Sequence, residues 1–160
     1  MSCFVAHYVS PLGGITLASN GTALTGLWFD GQKYFGDTIG ALQEERQNLA
    51  VFDETRRWLD VYFSGKAPDF IPPLGMTATP FRKAVWEVLL TIPFGKIMTY
   101  GDVARQVGCR SAQAVGGAVR CNPIGLIVPC HRVVGADGSL TGYAAGLERK
   151  RRLLEMERGV

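Results

Sequence analysis

The chain has 160 residues, of which 47% are hydrophobic and 19% are charged, and its formal net charge is +3. This composition is typical of a globular protein with one or two domains, and it excludes a disordered or fibrous chain. No apolar run approaches the roughly 18 residues of a membrane-spanning helix, and the first residues lack the basic and apolar regions of a secretory signal.

The four cysteines are expected to be free thiols. No Cys-x-x-Cys pair occurs among Cys3, Cys109, Cys121 and Cys130, and the chain has only two histidines to complete a zinc site. We therefore expect no bound metal. Unpaired thiols are typical of a reducing compartment, so the sequence predicts a cytoplasmic location.

The charge is unevenly distributed along the chain. Residues 1–75 carry five basic and eight acidic side chains, a net charge of −3, whereas residues 76–160 carry twelve and six, a net charge of +6. Arginine outnumbers lysine nine to three in the second half, and the guanidinium group suits phosphate contacts. The pattern favours a nucleic-acid partner for the second half over an ordinary solvated surface.

The first half predicts a small antiparallel sheet followed by a helix. β-Branched and aromatic residues alternate with turn sequences, and the predicted strands are residues 4–9, 15–19 and 22–29. Helical periodicity then runs from about residue 49 to residue 63. Residues 66–79 hold three of the eight prolines. We interpret this stretch as a linker, which gives an N-terminal domain of residues 1–75 and a C-terminal domain of residues 80–160.

The second half predicts consecutive helices. Thr79 and Pro80 supply an N-cap and a first-turn proline. Thr99 and Asp102 resemble a capping box that opens a short helix ending at Gly108. A further helix is expected at residues 112–120, capped by Ser111, and a last one at residues 147–157. Two short helices joined by a tight turn on a basic domain predict a helix-turn-helix.

The helix at residues 112–120 consists almost entirely of small residues, with Gly116 and Gly117 at its centre. Each glycine in a helix interior costs roughly 1 kcal/mol relative to alanine. Such a helix is usually approached closely by another group, which could be a neighbouring helix or DNA. A smooth helix suits occupancy of a groove without reading of the base sequence.

Two extended segments are predicted around the most distinctive motif. Residues 124–128 form an apolar run that we interpret as a strand leading into Pro129 and Cys130, and residues 140–143 are expected to return as the wing of a winged helix.

That motif is Val-Pro-Cys-His-Arg-Val at residues 128–133. The thiolate is the nucleophilic form of cysteine, and a neighbouring imidazole can favour it. Adjacent side chains of an extended segment point to opposite faces, so the backbone must turn between Cys130 and His131 or a water must relay the proton. A structural cysteine beside a surface histidine is the alternative.

These segments together resemble the O6-alkylguanine-DNA alkyltransferases, also called methylated-DNA–protein-cysteine methyltransferases. The resemblance is dense from about residue 80 to 159. Its segments are Pro80-Phe81 through Trp86, residues 92–95, Thr99-Tyr100, residues 114–118, Arg120, Asn122-Pro123, residues 127–134, Gly142-Tyr143 and residues 146–150. The family implies an α+β fold. Its N-terminal domain is ribonuclease-H-like, with a three-stranded sheet and helices, and its C-terminal winged helix-turn-helix domain binds DNA and transfers the alkyl group.

The resemblance implies direct reversal of DNA damage, in which an alkyl (methyl) group moves irreversibly from O6 of guanine to Cys130. His131 would take the thiol proton through a water, held by the carboxylate of Glu157. Tyr100 would donate toward guanine N3, and Asn122 would fix the turn that aims Cys130. The thioether product is not a leaving group, so each molecule acts once and needs no cofactor.

The implied partner is double-stranded DNA containing O6-alkylguanine, with the damaged nucleotide rotated out of the stack. We expect a monomer; repair of O4-alkylthymine and cooperative binding to DNA are left open. The residues expected to contact DNA or the base are Ala112, Gln113, Gly116, Val119, Arg120, Val133, Tyr143 and Ala144.

Three positions depart from the family pattern. Gln113 stands where the family usually has an arginine that fills the gap left by the flipped base, and we expect weaker flipping because glutamine is uncharged and shorter. Ala144 and Ala145 follow Tyr143 where serine often occurs. Gly125 replaces a proline seen in some members, which predicts a looser loop.

Two other functions are compatible with parts of the pattern. A lesion-binding protein would use the same helix-turn-helix without transferring anything, and Cys130 argues against it. A cysteine hydrolase would turn over many times, and adjacent Cys130 and His131 disfavour direct thiolate–imidazole contact.

Overall fold

The computed structural model describes residues 3–33 and 43–159. The chain divides into two compact units, Met1–Met76 and Thr77–Val160, and the division falls within the proline-rich residues 66–79. Among the described residues, no helix combines the length and the apolar content needed to cross a membrane.

The first unit is a sheet covered by one helix among its described residues. The three predicted strands form an antiparallel meander, and a short fourth strand extends it in parallel to the first. The strand order is β3-β2-β1-β4. The strands are β1 (Phe4–Ser10), β2 (Gly13–Ser19), β3 (Leu24–Phe29) and β4 (Glu44–Glu45), and the helix is α1 (Ala50–Phe63).

Helix α1 lies against the meander because its apolar face is continuous. Phe52, Leu59 and Tyr62 of this face are fully buried, and Trp58 stacks on Tyr62 with ring centroids 5.1 Å apart. Trp28 of β3 is also buried. The predicted meander and the predicted helix are both confirmed.

The second unit is mainly helical. Helices α2, α3 and α4 pack against one another, and a two-stranded parallel sheet, β5-β6, lies beside them. Its elements are α2 (Pro80–Leu90), β5 (Met98–Thr99), α3 (Tyr100–Val107), α4 (Ala112–Arg120), a 3-10 turn (Cys130–Arg132), β6 (Val133–Val134) and α5 (Leu147–Arg158).

The predicted caps form. Thr79 accepts a hydrogen bond from the Arg82 amide at 3.3 Å at the start of α2. Both reciprocal bonds of the Thr99–Asp102 capping box are present, at 3.0 and 3.1 Å. Gly108 ends α3 in the left-handed region, with φ 69°. Local sequence therefore sets the ends of the helix-turn-helix.

The expected strand at residues 124–128 is wrong. The segment is a buried turn, in which the Val128 amide donates to Ile124 O at 3.1 Å and Leu126 has φ 67°. The Asn122 side chain bonds to both ends of the turn, which gives the backbone an alternative to a sheet. An apolar run of five residues fits a buried turn as well as a strand.

The expected wing strand at residues 140–143 is also wrong. Strand β6 pairs with β5 instead, through Met98–Val133 and Thr99–Val134. The carbonyl of Thr141 is used by two side chains, Tyr100 and Lys150, rather than by a neighbouring strand.

Candidate active site

Cys130 occupies the first position of the 3-10 turn, directly after the turn that Asn122 holds. Asn122 Nδ2 donates to Val128 O at 2.8 Å, and Asn122 Oδ1 accepts from the Ile124 amide at 3.0 Å. One buried side chain thus sets the direction in which the chain reaches Cys130. The 3-10 turn shows that the backbone does turn between Cys130 and His131.

The Cys130 side chain is buried, with 7% of the residue exposed. Burial raises the pKa of the thiol, because the thiolate would lose its hydration. A hydrogen bond from Asn122, the positive charge of Lys150 and backbone amides of the turn act in the opposite direction without reversing the shift. The resting thiol is therefore protonated near neutral pH, and a base must remove its proton before it can act as a nucleophile.

His131 and Glu157 form a buried pair that can supply this base. Their side chains are inaccessible to solvent, and His131 Nε2 lies 2.5 Å from Glu157 Oε2. Because a carboxylate only accepts, the neutral imidazole donates through Nε2 and presents Nδ1 as its basic nitrogen. Burial lowers the pKa of His131 despite the opposing effect of Glu157, so the imidazole is neutral near neutral pH.

Arg132 binds the same carboxylate from another side. Its Nε donates to Glu157 Oε1 at 2.8 Å and its Nη2 to Oε2 at 3.2 Å, and the Gly95 amide donates to Oε1 at 3.1 Å. Burial would raise the pKa of Glu157, but the hydrogen bonds and charges of His131 and Arg132 outweigh burial and hold this pKa well below its usual range. Because a guanidinium stays charged, Arg132 keeps Glu157 ionised even while His131 is neutral.

Tyr100 begins helix α3, and its phenol lies over the chain at Thr141 and Gly142. Tyr100 Oη donates to Thr141 O at 3.0 Å. Gly142 has φ 65°, and a Cβ at this position would come within 3.1 Å of Tyr100 Oη. Burial raises the pKa of Tyr100 against the opposing effect of the bond to Thr141, so the phenol keeps its proton and is a donor.

Two family profiles together match nearly the whole chain. The DNA binding domain of 6-O-methylguanine DNA methyltransferase matches residues 80–159, and the ribonuclease-like domain of the same methyltransferase matches residues 4–75. The chain belongs to the 6-O-methylguanine DNA methyltransferase family. The resemblance inferred from the sequence is confirmed.

Relatives of this family match over most of their own length. The methylated-DNA–protein-cysteine methyltransferase of Mycobacterium leprae is 45% identical over 150 residues, covering 93% of this chain and 88% of the relative. That of Haemophilus influenzae is 38% identical over 157 residues, covering 97% and 86%. The crystal structure of Mycobacterium tuberculosis OGT in complex with DNA has a TM-score of 0.86 at 40% identity, covering 99% of this chain and 94% of that one.

The residues expected to contact DNA in this methyltransferase fall into two groups. The accessible ones lie at the start of α4 and after residue 142, and they are Ala112, Gln113, Tyr143 and Ala144. The buried ones are Gly116, Val119 and Val133. The second group therefore does not present side chains at the protein surface.

Arg120 is half-buried and folds back along its own helix. A Cβ at Gly116 would lie 3.3 Å from Arg120 Nη1, and one at Gly142 would lie 3.4 Å from the same atom. The guanidinium would have to shift by a few tenths of an ångström to admit a Cβ at position 116. Within residues 3–33 and 43–159, nothing lies within 4 Å of a Cβ placed on Gly117, so that face of α4 is open.

Sequence reasoning gave no role to two cations of the methyltransferase site, Arg132 and Lys150. Arg132 was visible in the Cys-His-Arg motif, but its pairing with Glu157 depends on the fold. Lys150 is fully buried on α5. It shares the helical spacing of Leu153, Leu154 and Glu157, and a cation on a buried face is the signal that could have identified it.

Proposed function

We propose that Cys130 is the acceptor in single-turnover repair of O6-alkylguanine in double-stranded DNA. Membership of the family carries the reaction type, the transfer of an alkyl group from damaged DNA to a protein cysteine. The observation that supports Cys130 is its position in a buried 3-10 turn with His131, whose imidazole is held by Glu157.

The residues around Cys130 can account for each proton and electron pair. The thiol proton passes to His131 Nδ1, through a water if the atoms are not in contact, and Glu157 stabilises the resulting imidazolium. Sulfur bonds to the alkyl carbon, the bond from that carbon to O6 breaks, and its electron pair stays on the guanine. The Tyr100 phenol donates toward N3, where negative charge develops.

DNA is the proposed partner, and α4 is the proposed contact element. Ala112 and Gln113 are exposed at its start, and Gly117 leaves its surface open. The positive charge of the second unit supports binding to phosphates. Repair by a monomer in the cytoplasm is part of the proposal.

Intact-protein mass spectrometry after incubation with O6-methylguanine duplex tests this function. We expect one added methyl group per chain, mapped to Cys130 by peptide analysis. Cys130→Ala should abolish the addition and still bind the duplex. A methyl group on Cys3, Cys109 or Cys121 would refute the assignment.

Two other results would point to the rival functions. Binding of methylated duplex without any mass change indicates a lesion-binding protein. Release of product in excess over the protein indicates a hydrolase.

A further inference from the structure

Helix α4 is joined to helix α2 by a buried tryptophan. Trp86 of α2 is 1% exposed, and its indole Nε1 donates to the backbone carbonyl of Ala118 at 2.9 Å. Trp86 lies on the face of α2 that also buries Val85 and Leu89. A directional hydrogen bond therefore connects two helices across 32 positions of the sequence.

The Ala118 carbonyl accepts from the indole because it lies in the last turn of α4. The last four carbonyls of a helix have no partner within that helix. The Asn122 amide, four residues after Ala118, donates instead to Val119 O at 3.3 Å, and the Cys121 amide donates to Gly117 O at 3.1 Å. Trp86 thus supplies Ala118 with a donor that α4 itself does not.

The side chains of α4 give its position few other determinants. The buried residues of this helix are Val115, Gly116, Ala118 and Val119. Packed helices interlock through ridges of side chains, and glycine and alanine form low ridges. A hydrogen bond fixes both a distance and a direction, so one such bond can set the axial position and the rotation of a smooth helix.

We propose that Trp86 is a positioning residue for the damaged duplex, which fixes α4 so that the exposed start of this helix meets the DNA at the site of the flipped base. This inference rests on the proposed function, in which Ala112 and Gln113 of α4 approach the duplex. Because Trp86 is buried, it acts on DNA through α4 and not by direct contact.

The turn before Cys130 has a separate attachment. Asn122 Nδ2 donates to Val128 O and Asn122 Oδ1 accepts from the Ile124 amide, and both bonds lie within residues 122–128. Added freedom of α4 should therefore leave the thiol in place. Loss of the indole donor is expected to impair reaction with duplex DNA and to spare the reactivity of Cys130 itself.

Two rates measured on the same proteins test this role. The first is the second-order rate constant of methyl transfer from O6-methylguanine duplex, and the second is that of Cys130 alkylation by iodoacetamide, which needs no DNA. We expect Trp86→Phe to lower the first rate about tenfold and the second less than about twofold, because phenylalanine keeps an aromatic ring but cannot donate to Ala118.

Two results would overturn the proposal. A reduction of the iodoacetamide rate as large as that of the duplex rate would mean that Trp86 supports the site as a whole. An unchanged duplex rate would mean that the hydrogen bond to Ala118 does not position α4 for DNA.

A matched control removes an indole from the first unit. Trp58 is buried and stacks on Tyr62, and Trp58→Phe should leave both rates at their wild-type values. A tenfold loss of the duplex rate in this variant would assign the effect to lost aromatic packing and overturn the role of the indole N–H. Far-ultraviolet circular dichroism shows whether each variant is folded.

If Trp86→Phe fails to fold, benzothienylalanine at position 86 replaces it under the same criteria, because this amino acid keeps both rings of tryptophan and has sulfur in place of N–H. The wild-type reaction keeps this test apart from the test of the proposed function. No methylation of wild-type Cys130 would defeat the proposed function, whereas methylation with equal reductions of the two rates defeats only the role of Trp86.

Discussion

We expect activation of Cys130 to depend on a base rather than on a resting thiolate. Burial raises the pKa of the thiol and lowers the pKa of His131, so the neutral pair is the stable form near neutral pH. An exposed thiolate would react with many electrophiles, whereas a buried thiol reacts once a substrate fills the site and its proton can leave. We propose that Glu157 orients His131 and favours its positively charged form, and that Arg132 holds Glu157 ionised although the charge of Arg132 itself lowers the pKa of His131.

Glu157→Gln should slow alkylation of Cys130 and shift its pH dependence upward. In the wild type the rate should rise with pH through the neutral range, because the raised pKa of the thiol lies above that range. Without the carboxylate, His131 is a weaker base and the rise should begin at higher pH. Ultraviolet titration measures the pKa of the thiol in the wild type and in the variant. Iodoacetamide labelling of Cys130 at each pH, mapped by mass spectrometry, measures how the alkylation rate of each protein depends on pH.

Stability provides the control for this substitution. Glu157→Gln leaves the buried Arg132 charge without its counter-ion and should lower the free energy of unfolding by about 3 kcal/mol. Glu155→Gln on the same helix removes a half-exposed carboxylate that pairs with Arg151 at 2.6 Å, and it should cost less than about 1 kcal/mol. An unchanged pH profile in Glu157→Gln would exclude Glu157 from activation even if stability fell.

Gln113 is exposed at the start of α4, and we propose that its side chain fills the gap that a flipped base leaves in the stack. Gln113→Arg should increase the rate on methylated duplex, because arginine adds donors and can stack as a cation. Gln113→Ala should slow that reaction. Transfer from the free O6-alkylguanine base needs no extrusion and should change little in either variant. Equal duplex rates for all three proteins would exclude Gln113 as the residue that fills the gap.

Elements with local determinants were predictable, and elements set by distant side chains were not. The caps at Thr79, Thr99 and Ser111 lie within four residues of the amides that they bind, so sequence spacing was sufficient. The turn at residues 124–128 depends on a buried amide, and the chain near residue 141 depends on a lysine nine residues later. The hydrophobic pattern of the sequence predicts neither the hydrogen bonds of Asn122 nor those of Lys150.

Helix α4 shows how two adjacent glycines can have different causes. A Cβ at Gly116 would approach the Arg120 guanidinium, whereas one at Gly117 would have no neighbour within 4 Å among the described residues. The Arg120 side chain therefore borders the first glycine, and the open second position is where the proposed DNA contact would account for the missing side chain.

Gly117→Ala separates helix stability from DNA contact. The added methyl group should raise the free energy of unfolding by up to about 1 kcal/mol, because the helix gains propensity at a position with free space. The same group should slow transfer from duplex DNA and leave transfer from the free base unchanged. Thermal unfolding and the two transfer rates measure this. A faster or equal duplex rate would mean that this face of α4 does not approach DNA.

At the scale of the molecule, the site is assembled from distant parts of the second unit. Tyr100 comes from α3, Asn122 from the segment after α4, Cys130 from the 3-10 turn and Glu157 from α5. No spacing rule relates these positions, so their candidate roles came from the family resemblance. The contacts of Lys150 and Arg132 were visible only in the folded structure, because Lys150 binds two backbone carbonyls and Arg132 binds the Glu157 carboxylate and the Ile92 carbonyl.

The charge difference between the halves of the chain predicts salt-dependent binding through the second unit. Residues 76–160 carry a net charge of +6 and residues 1–75 a net charge of −3. Contact with about three phosphates would reduce affinity for undamaged duplex about 40-fold between 50 and 200 mM salt. Fluorescence anisotropy across this range measures the slope, and the rate with the free base should stay constant.

Single substitutions of arginine, compared by the salt dependence of binding, show which unit makes the phosphate contacts. Arg110 is exposed in the turn before α4, and Arg110→Gln should reduce the log–log salt slope by about one. Arg46→Gln removes a cation from the first unit, where Arg46 pairs with Glu44 at 3.0 Å, and should leave the slope unchanged. The reverse result would move the phosphate contacts to the first unit, and a flat salt dependence of the wild type would mean that phosphate neutralisation does not drive binding.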